Sequence, residues 1–433
     1  MLSVRGHWIT DGHIEPHEVS NGDATSAHLK RFHVNRRAWL QALEDAGYQY
    51  DLLTTEQIEA GKLPGYRALI LPDSIALSDG EVEAIRKFLN GGGLLIADTE
   101  TGLMNGHATW QSEGRLDDVL GIKRSELRAA ADSVQASRIQ VAQKGRTVDS
   151  DVVPAEPALR VTTGQPAAVS QGIPLLIETR TGSGRSVYFN FWMTDYDELR
   201  PTSRQDSRLA LLRETLSRSS IQPVAEFRKT TGEPLRCSEI VSFSKKNAKY
   251  VAILPEPGCA DAGPGVLRLP AAQQVYDLRL HRSLGRVSEI EGTLRQGEPL
   301  IFALTEAPVG SLSLSRLDFS QGSALVRAGD LLRFSIRQKG NGASVVDGAV
   351  HVEVQDPSGK ILDYYGGDYS LSGGQAEFSI PLALNDLPGG WQVTACEPFS
   401  HQTAQIGFQV SDAEWRALQS QAASSTRPVP PVK

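Results

Sequence analysis

The sequence has few cysteines, no long apolar run and no strong net charge, and each shortage excludes a class of protein. Its three cysteines, Cys237, Cys259 and Cys396, form no Cys-x-x-Cys pair, so neither a disulfide framework nor a thiolate zinc site is expected. We predict that all three are small buried hydrophobes. No apolar run approaches the roughly 20 residues that cross a bilayer, so no membrane insertion is expected. A formal net charge of −7 carries no broad cationic field, which argues against nucleic acid as a partner.

The first residues lack the unbroken apolar stretch of a secretory leader, because Arg5, His7, Asp11 and His13 interrupt them. We therefore expect a cytoplasmic protein if Met1 is the native start, and a periplasmic or secreted one if a leader has been removed. A phosphate-binding loop is also missing. The sequence Gly182-Ser183-Gly184 precedes a strand rather than a helix, and it predicts a hairpin turn. No cofactor is predicted.

The first half of the chain alternates helix and strand patterns. Apolar spacing predicts helices over 35–46 and 206–217, and Ser78 with Glu81 forms a capping box that starts another helix, which ends at Gly91. Strands are predicted at the short apolar runs over 48–53, 66–71, 94–97 and 182–191. Helices and strands in this order indicate a parallel sheet covered by helices. Residues 115–170 show no clear pattern, and we predict that they form an insertion or an irregular edge of the sheet.

The second half changes to short apolar or alternating segments separated by turns rich in glycine, proline and serine. A small antiparallel β domain is predicted from strands over 240–243, 250–254, 275–280 and 300–304. A β-sandwich is predicted from strands over 331–336, 349–354, 376–380, 391–395 and 406–410. The tail from residue 412 is predicted to be flexible.

Several of these segments resemble family 42 glycoside hydrolases, the β-galactosidases. Residues 66–102, YRALILPDSIALSDGEVEAIRKFLNGGGLLIADTETG, resemble the middle domain of that family, as do RLDDVLGI at 115–122 and GSGRSVYFNF at 182–191. The segment VYDLRLHRSLG at 275–285, with PLIFAL at 299–304, is similar to the small β domain that closes those enzymes. In the family the middle domain has a class I glutamine amidotransferase-like fold and mediates trimerisation.

A second resemblance covers the carboxyl half. The patterns VRAGDLLRFSI, VEVQDPSGKIL and QAEFSIPLALNDLPGGWQVT resemble a macroglobulin-type or immunoglobulin-like sandwich. Together the two resemblances imply an α/β domain with a glutamine amidotransferase-like, flavodoxin-like parallel sheet, followed by two all-β sandwich-type domains. The predicted domains are 1–225, 226–309 and 310–411, with a tail at 412–433.

The sequence departs from the family at both places where chemistry is expected. The family's two catalytic glutamates lie on a (β/α)8 barrel of at least about 200 residues before the middle domain. Here the amidotransferase-like pattern begins within the first 40 to 70 residues, too early for such a barrel, so no counterpart of the catalytic pair is expected in this sequence. In the turn after the buried strand, Glu100 stands where amidotransferases carry cysteine, and a carboxylate cannot replace that thiolate.

Two sets of polar residues remain as candidates for chemistry. Asp98 and Glu100 are candidates for an acid and base pair, but at a strand end they also serve as capping or turn residues. The histidines near the start, His7, His13 and His17 above all, are of the type that binds metal. Pro16 argues against one helix face for them, and solvated loop histidines are favoured. No catalytic or metal site is therefore predicted.

These absences favour a non-catalytic assembly or scaffold protein, homo-oligomeric through its α/β domain, with a further protein or a glycan as partner. One alternative is a glycan-acting hydrolase, either through Asp98 and Glu100 or as a subunit that completes a barrel on another chain. The other alternative is a carbohydrate-binding or cell-envelope adhesion module built on the two β domains.

Overall fold

A computed structural model describes residues 2–3, 24–124, 135–138, 141–143, 146–148, 152–194, 196, 200, 207–223, 225–232, 236–256, 263–317, 325–340 and 345–411. The chain divides into two compact units. The first contains Met1–Ile240, Pro255–Leu267 and Arg295–Gly297, and the second contains Val241–Leu254, Arg268–Leu294 and Glu298–Lys433. The domain boundaries at 225, 309 and 411 stay predictions.

Helices occur in the first unit among the described residues. They are α1 (Ala24–Asp45), α2 (Thr55–Glu59), α3 (Asp79–Asn90), α4 (Asp117–Leu120) and α5 (Ser207–Arg218), with a 3₁₀ turn at Leu63–Gly65. The predicted capping box of α3 is present, because the Ser78 side chain accepts a bond from the Glu81 backbone and the Glu81 side chain accepts one from Ser78. No described helix has the length and apolar character needed to span a membrane.

The strands of the first unit are short apart from those at one side of its main sheet. They are β1 (Leu2–Ser3), β2 (Leu52–Leu53), β3 (Ala68–Leu71), β4 (Ala76–Leu77), β5 (Leu94–Asp98), β6 (Met104–Asn105), β7 (Ile122–Lys123), β8 (Gln135–Arg138), β9 (Val141–Gln143), β10 (Arg146–Val148), β11 (Val152–Ala155), β12 (Arg160–Val161), β13 (Gln165–Ser170), β14 (Ile173–Thr181) and β15 (Gly184–Phe189).

Seven of these strands form one sheet in the order β13-β14-β15-β5-β3-β1-β2. Strands β15, β5, β3, β1 and β2 run parallel to one another, whereas β14 is antiparallel to both of its neighbours, β13 and β15. Residues 115–170, where no clear pattern was found, contribute the two-stranded pairs β7–β12, β8–β11 and β9–β10. The hairpin turn predicted at Gly182-Ser183 joins β14 to β15.

Helices cover both faces of this sheet, which explains the continuous apolar runs in its strands. Leu94 and Ile96 pack in one core cluster with residues of α1 and α5. Leu95 and Ala97 point to the other face and pack with residues of α2, α3 and α4. Every residue of β5 is therefore buried, including the carboxylate-bearing Asp98 at its end.

The strands of the second half, from β16 onward, form three sheets. They are β16 (Glu226–Lys229), β17 (Ser238–Lys245), β18 (Ala248–Pro255), β19 (Gly263–Asp277), β20 (Arg282–Leu294), β21 (Leu300–Thr305), β22 (Leu312–Arg316), β23 (Leu325–Val326), β24 (Leu331–Gln338), β25 (Gly348–Gln355), β26 (Gly367–Leu371), β27 (Gln375–Pro381), β28 (Gly389–Cys396) and β29 (Thr403–Val410).

The two predicted sandwich-type domains differ in the structure. Strands β16 to β21 form a single six-stranded sheet in which β21 is antiparallel to β18 and β19, so this region has the predicted antiparallel strands in one sheet and not in the two packed sheets of a sandwich. Strands β22 to β29 do form a sandwich, because a three-stranded sheet (β22-β24-β27) and a five-stranded sheet (β23-β29-β28-β25-β26) share one hydrophobic core. Phe334 and Phe378 stack in that core with ring centroids 5.0 Å apart.

The cysteine prediction needs one correction. Cys237 is disulfide-bonded, whereas Cys396 is free and half-buried. The backbone N–H of Cys237 donates to Asp45 Oδ1 at 2.7 Å, and the Arg200 guanidinium holds the same carboxylate with bonds of 2.8 Å. A covalent link therefore stands beside a buried ion pair, where the sequence suggested only an apolar filler.

Candidate functional site

The carboxyl ends of two neighbouring parallel strands each lead into an acidic residue. Strand β3 ends at Leu71 and is followed by Pro72 and Asp73, and strand β5 ends at Asp98 and is followed by Thr99 and Glu100. Because parallel strands end at the same edge of a sheet, the three acids are brought together there. All three are buried, with exposures of 0% for Asp73 and Asp98 and 4% for Glu100.

Helix α1 supplies the partners of these acids. Arg31, Asn35 and Trp39 are spaced four residues apart, so their side chains share one face of the helix. Asp98 Oδ2 accepts bonds from Asn35 Nδ2 at 2.6 Å and from Trp39 Nε1 at 2.7 Å. Asn35 in turn accepts a bond from the Met193 backbone N–H at 2.6 Å, which fixes the orientation of its amide.

The other oxygen of Asp98 binds the second strand end. Asp98 Oδ1 accepts a bond of 2.5 Å from the backbone N–H of Asp73. Burial raises the pKa of Asp98 to about 7, although the bonds from Asn35, the Asp73 backbone and Trp39 oppose that rise. Asp98 therefore carries a proton part of the time at neutral pH.

The surroundings of Asp73 disfavour a negative charge on its carboxyl group. Burial first, and then the charges of Glu100 and Asp98, raise the pKa of Asp73 well above its usual range. Neither carboxylate oxygen has a donor among the described residues when all three acids are ionised. A protonated Asp73 can instead donate to Glu100, which is the hydrogen bond that links these two side chains.

Glu100 occupies a strained backbone position and is neutralised by an arginine. Its φ of +66° lies in the left-handed region, as does the φ of +45° at Asp73. The Arg31 Nη2 donates to Glu100 Oε2 at 2.8 Å, and the Arg31 guanidinium also lies 4.4 Å from the ring centroid of Trp192. The Glu100 carboxylate, in the turn after β5 that we call the elbow, is thus held by a cation that is itself packed on an aromatic ring.

A second buried arginine supports the turn from its other side. Arg124 donates to the Thr101 carbonyl oxygen at 2.8 Å and pairs with Asp117. The Thr101 hydroxyl donates to the Leu71 carbonyl oxygen at 3.1 Å, which ties the turn after β5 back to β3. The turn that carries Glu100 is therefore fixed by contacts at both ends.

Residues 17–222 match the beta-galactosidase trimerisation domain. The match confirms the resemblance predicted from the segments at 66–102, 115–122 and 182–191. We call this stretch the trimerisation-type domain below.

Several solved structures are similar to this chain. The β-galactosidase of Bacillus circulans sp. alkalophilus is 16% identical with a TM-score of 0.50, over 70% of this chain and 41% of that chain. A GH42 β-galactosidase of G. stearothermophilus is 14% identical with a TM-score of 0.47, over 70% and 40%. A β-galactosidase of Rahnella sp. R3 is 16% identical with a TM-score of 0.45, over 69% and 40%. The similarity to the first of these concerns the fold alone.

The chain spans about two fifths of the length of these solved β-galactosidases. No protein of curated function matches the sequence with significant similarity.

The structure brings together one of the two predicted sets of polar residues. Asp98 and Glu100 both contact helix α1, at the turn where the sequence placed them. His7, His13 and His17 lie outside the described residues, and no group of three potential ligands for a metal occurs in the described part of the chain. Asp73 and Arg31 were not predicted as site residues, although Asp73 closely follows a buried apolar strand, at whose neighbour's end Asp98 lies.

Proposed function

We propose that the chain is a non-catalytic assembly protein that forms homo-oligomers through its trimerisation-type domain. The observation that carries this proposal is the state of Glu100. The side chain at the elbow position is buried and paired with Arg31, where an amidotransferase would expose a thiolate. We further propose that this domain has the glutamine amidotransferase-like, flavodoxin-like fold, and that the sandwich of β22 to β29 is of the immunoglobulin or macroglobulin type.

The contacts of the acids support a structural role for them. A glycosidase needs two carboxyl groups that reach a sugar from opposite sides of the scissile bond. Both oxygens of Asp98 are already bonded to groups of this chain, and Glu100 Oε2 is bonded to Arg31. These bonds connect α1 to the ends of β3 and β5. The acids therefore stabilise the domain, and their oxygens are not free to act on a glycosidic bond.

With a structural role for the acids, assembly is the function that the matched domain supports. The matching family model is described as a trimerisation domain, and we extend that description to residues 17–222 of this chain. Three copies are therefore the expected stoichiometry, and a barrel-bearing chain or a glycan is the class of partner that such an assembly would hold.

The test combines oligomer mass with turnover. Analytical ultracentrifugation of the full chain should give the mass of three copies, and assays with chromogenic β-galactosides and with glutamine should give no turnover. A monomer at about 10 µM, or turnover that Glu100→Gln abolishes, would contradict the proposal. Glu113→Gln is the matched control, because Glu113 is an exposed glutamate that pairs loosely with Lys123 at 3.6 Å.

A second candidate function is hydrolysis of a glycan by the same acids. Two observations favour it, namely the raised pKa of Asp98, which suits a general acid near neutral pH, and the strained backbone at Asp73 and Glu100. This candidate requires α1 to move away so that a sugar can reach the carboxylates. It predicts that Arg31→Ala, which removes the cation from Glu100, increases hydrolysis, whereas the assembly proposal predicts no hydrolysis in either protein.

A further inference from the structure

The opposite edge of the seven-stranded sheet carries a cleft with positive charge. The cleft has a volume of about 690 Å³ and lies where β3, β5 and β15 begin, beside the ends of α3 and α5. No acidic residue is among those that line it. Its cationic lining residues are Arg67, Lys87, Arg180, Arg185 and Arg218.

Three of these arginines stand in one row across neighbouring strands. Arg180 of β14 is directly opposite Arg185 of β15 in their antiparallel pair. Arg185 is level with Leu94 of β5, and the Leu94 N–H donates to the carbonyl oxygen of Arg67 at 3.0 Å. Because like charges directly opposite each other destabilise a β pair, the Arg180 and Arg185 arrangement costs folding free energy, and Glu178, 3.8 Å from Arg185 Nη1, offsets only part of that cost.

Internal contacts explain the other cations of the cleft. Lys87 and Arg218 lie in the last turns of α3 and α5, where the helix dipole favours positive charge. Lys87 pairs with Glu83 at 2.7 Å, and Arg218 pairs with Glu214 at 2.6 Å and with Glu178 at 3.2 Å.

Two arginines of the row are anchored on backbone. Arg67 Nη2 donates to the Ser220 carbonyl oxygen at 2.7 Å, and Arg185 Nη2 donates to the Thr215 carbonyl oxygen at 2.9 Å. Each guanidinium has five N–H donors, so both keep donors for another acceptor. Arg180 is exposed and has no ion pair among the described residues, so its charge is left without an internal explanation.

We propose that this row binds a tetrahedral oxyanion, the sulfate or phosphate group of a small ligand. Arginine forks match the geometry of such oxygens and form strong charge-assisted hydrogen bonds with them. An anion between Arg180 and Arg185 removes the repulsion of the cross-strand pair. The cleft has the volume of a ligand site, so the oxyanion is one group of a larger molecule. This proposal does not depend on the function of the acids at the other edge.

The first test measures thermal unfolding of the full chain with inorganic phosphate or sulfate at constant ionic strength. The unfolding midpoint of the wild type should rise with either anion and saturate. Arg180→Gln should unfold at a higher temperature than the wild type without anion, because the repulsion is gone, and it should need at least tenfold more anion for half of the shift. Arg185→Gln should weaken the anion effect similarly.

The control is Arg333→Gln, which removes one exposed arginine from strand β24. It should leave the response to anions unchanged. Equal responses of the wild type and Arg180→Gln, or a wild-type shift no larger than that caused by chloride, would overturn the proposal.

A second test identifies the source of the oxyanion by calorimetry with a hexose 6-sulfate and a hexose 6-phosphate. The ester that binds more tightly than its inorganic anion names the class of ligand. If neither ester does so, the cleft binds no larger molecule and that part of the proposal is wrong. Binding of an acidic peptide or an oligonucleotide in preference to both esters would also overturn it.

Discussion

The two edges of the seven-stranded sheet, where its parallel strands end and where they begin, carry opposite charges, and these charges differ in how far they are buried. At the carboxyl edge, Asp73, Asp98 and Glu100 are all buried, and Asp98 and Glu100 contact one face of α1. At the amino edge, Arg180 and Arg185 face an open cleft. The acids are satisfied by donors of the chain or neutralised by protons, whereas Arg180 is exposed to water and Arg185, 20% exposed, keeps its charge beside Glu178.

This difference separates structural charge from charge that is available to a ligand. A buried carboxylate has lost its hydration, so each missing donor costs about 1–3 kcal/mol and the group belongs to the folding of the domain. An exposed guanidinium keeps its hydration and contributes little to stability, so its donors are free to bind an anion. The presence of charged residues at a strand end therefore says little about function until burial is known.

Removal of Asp98 should have the largest effect. In Asp98→Ala, the Asn35 amide, the Trp39 indole and the Asp73 backbone N–H all lose their acceptor inside the protein. We expect the free energy of unfolding to fall by about 3–5 kcal/mol, measured by urea denaturation.

Asp118→Ala is the control for that prediction, because Asp118 pairs with Arg86 on the surface with 62% of its side chain exposed. Its cost should stay within about 1 kcal/mol. If both variants cost the same, the acids of the carboxyl edge are not the structural anchor that their contacts indicate.

At the amino edge, we expect the free energy of unfolding to fall most on substitution of a glycine, and not of a charged residue. Gly184 begins β15 where the backbone passes close to the end of α3, and a Cβ there would meet the carbonyl oxygens of Leu89 and, at 2.6 Å, Gly93. Gly184→Ala should therefore cost about 2–3 kcal/mol of stability and should also weaken anion binding in the cleft.

Gly65→Ala is the matched control for Gly184→Ala, because a Cβ at Gly65 has no neighbour within 4 Å. It should change the free energy of unfolding by less than about 0.5 kcal/mol. A comparable loss in both variants would mean that close packing at the hairpin does not limit this edge.

The sequence predicted the centre of the domain better than its edges. Strands β3 and β5 were identified because their apolar runs are buried on both faces, and α3 was identified because its capping box is local. Helix α1 begins at Ala24, earlier than the start predicted from its apolar pattern. The pattern does not include this part of the helix because Arg31 and Asn35 face carboxylates and not the apolar core. Strand β20 was missed because most of its residues are exposed and give no apolar alternation.

The grouping of the site residues needed the topology. Asp73 and Asp98 meet only because β3 and β5 are neighbours in the sheet, and no local pattern states that adjacency. The Arg180 and Arg185 pair was within reach of the sequence. A hairpin turn at Gly182-Ser183 sets the register, and that register places the two arginines opposite each other.

The smallest of the expected effects concerns the proton at the carboxyl edge. The pKa of Asp98 is raised to about 7 and that of Asp73 is raised well above its usual range, so the folded protein binds more protons than the unfolded chain above about pH 4. Stability should therefore be highest below about pH 4 as far as these groups are concerned. It should fall as the pH rises toward 7 and beyond.

Asp73→Asn should remove part of that fall, because its neutral amide can donate to Glu100 as the protonated acid does, and asparagine tolerates the left-handed backbone. We expect urea denaturation to show the variant more stable than the wild type by about 1–2 kcal/mol at pH 8, with the difference shrinking steadily toward about pH 4. The exposed Asp363 supplies the control, since Asp363→Asn should run parallel to the wild type at every pH. If Asp73→Asn also ran parallel, the proton would not be held by Asp73. The comparison of the two edges would then rest on the donors of α1 alone.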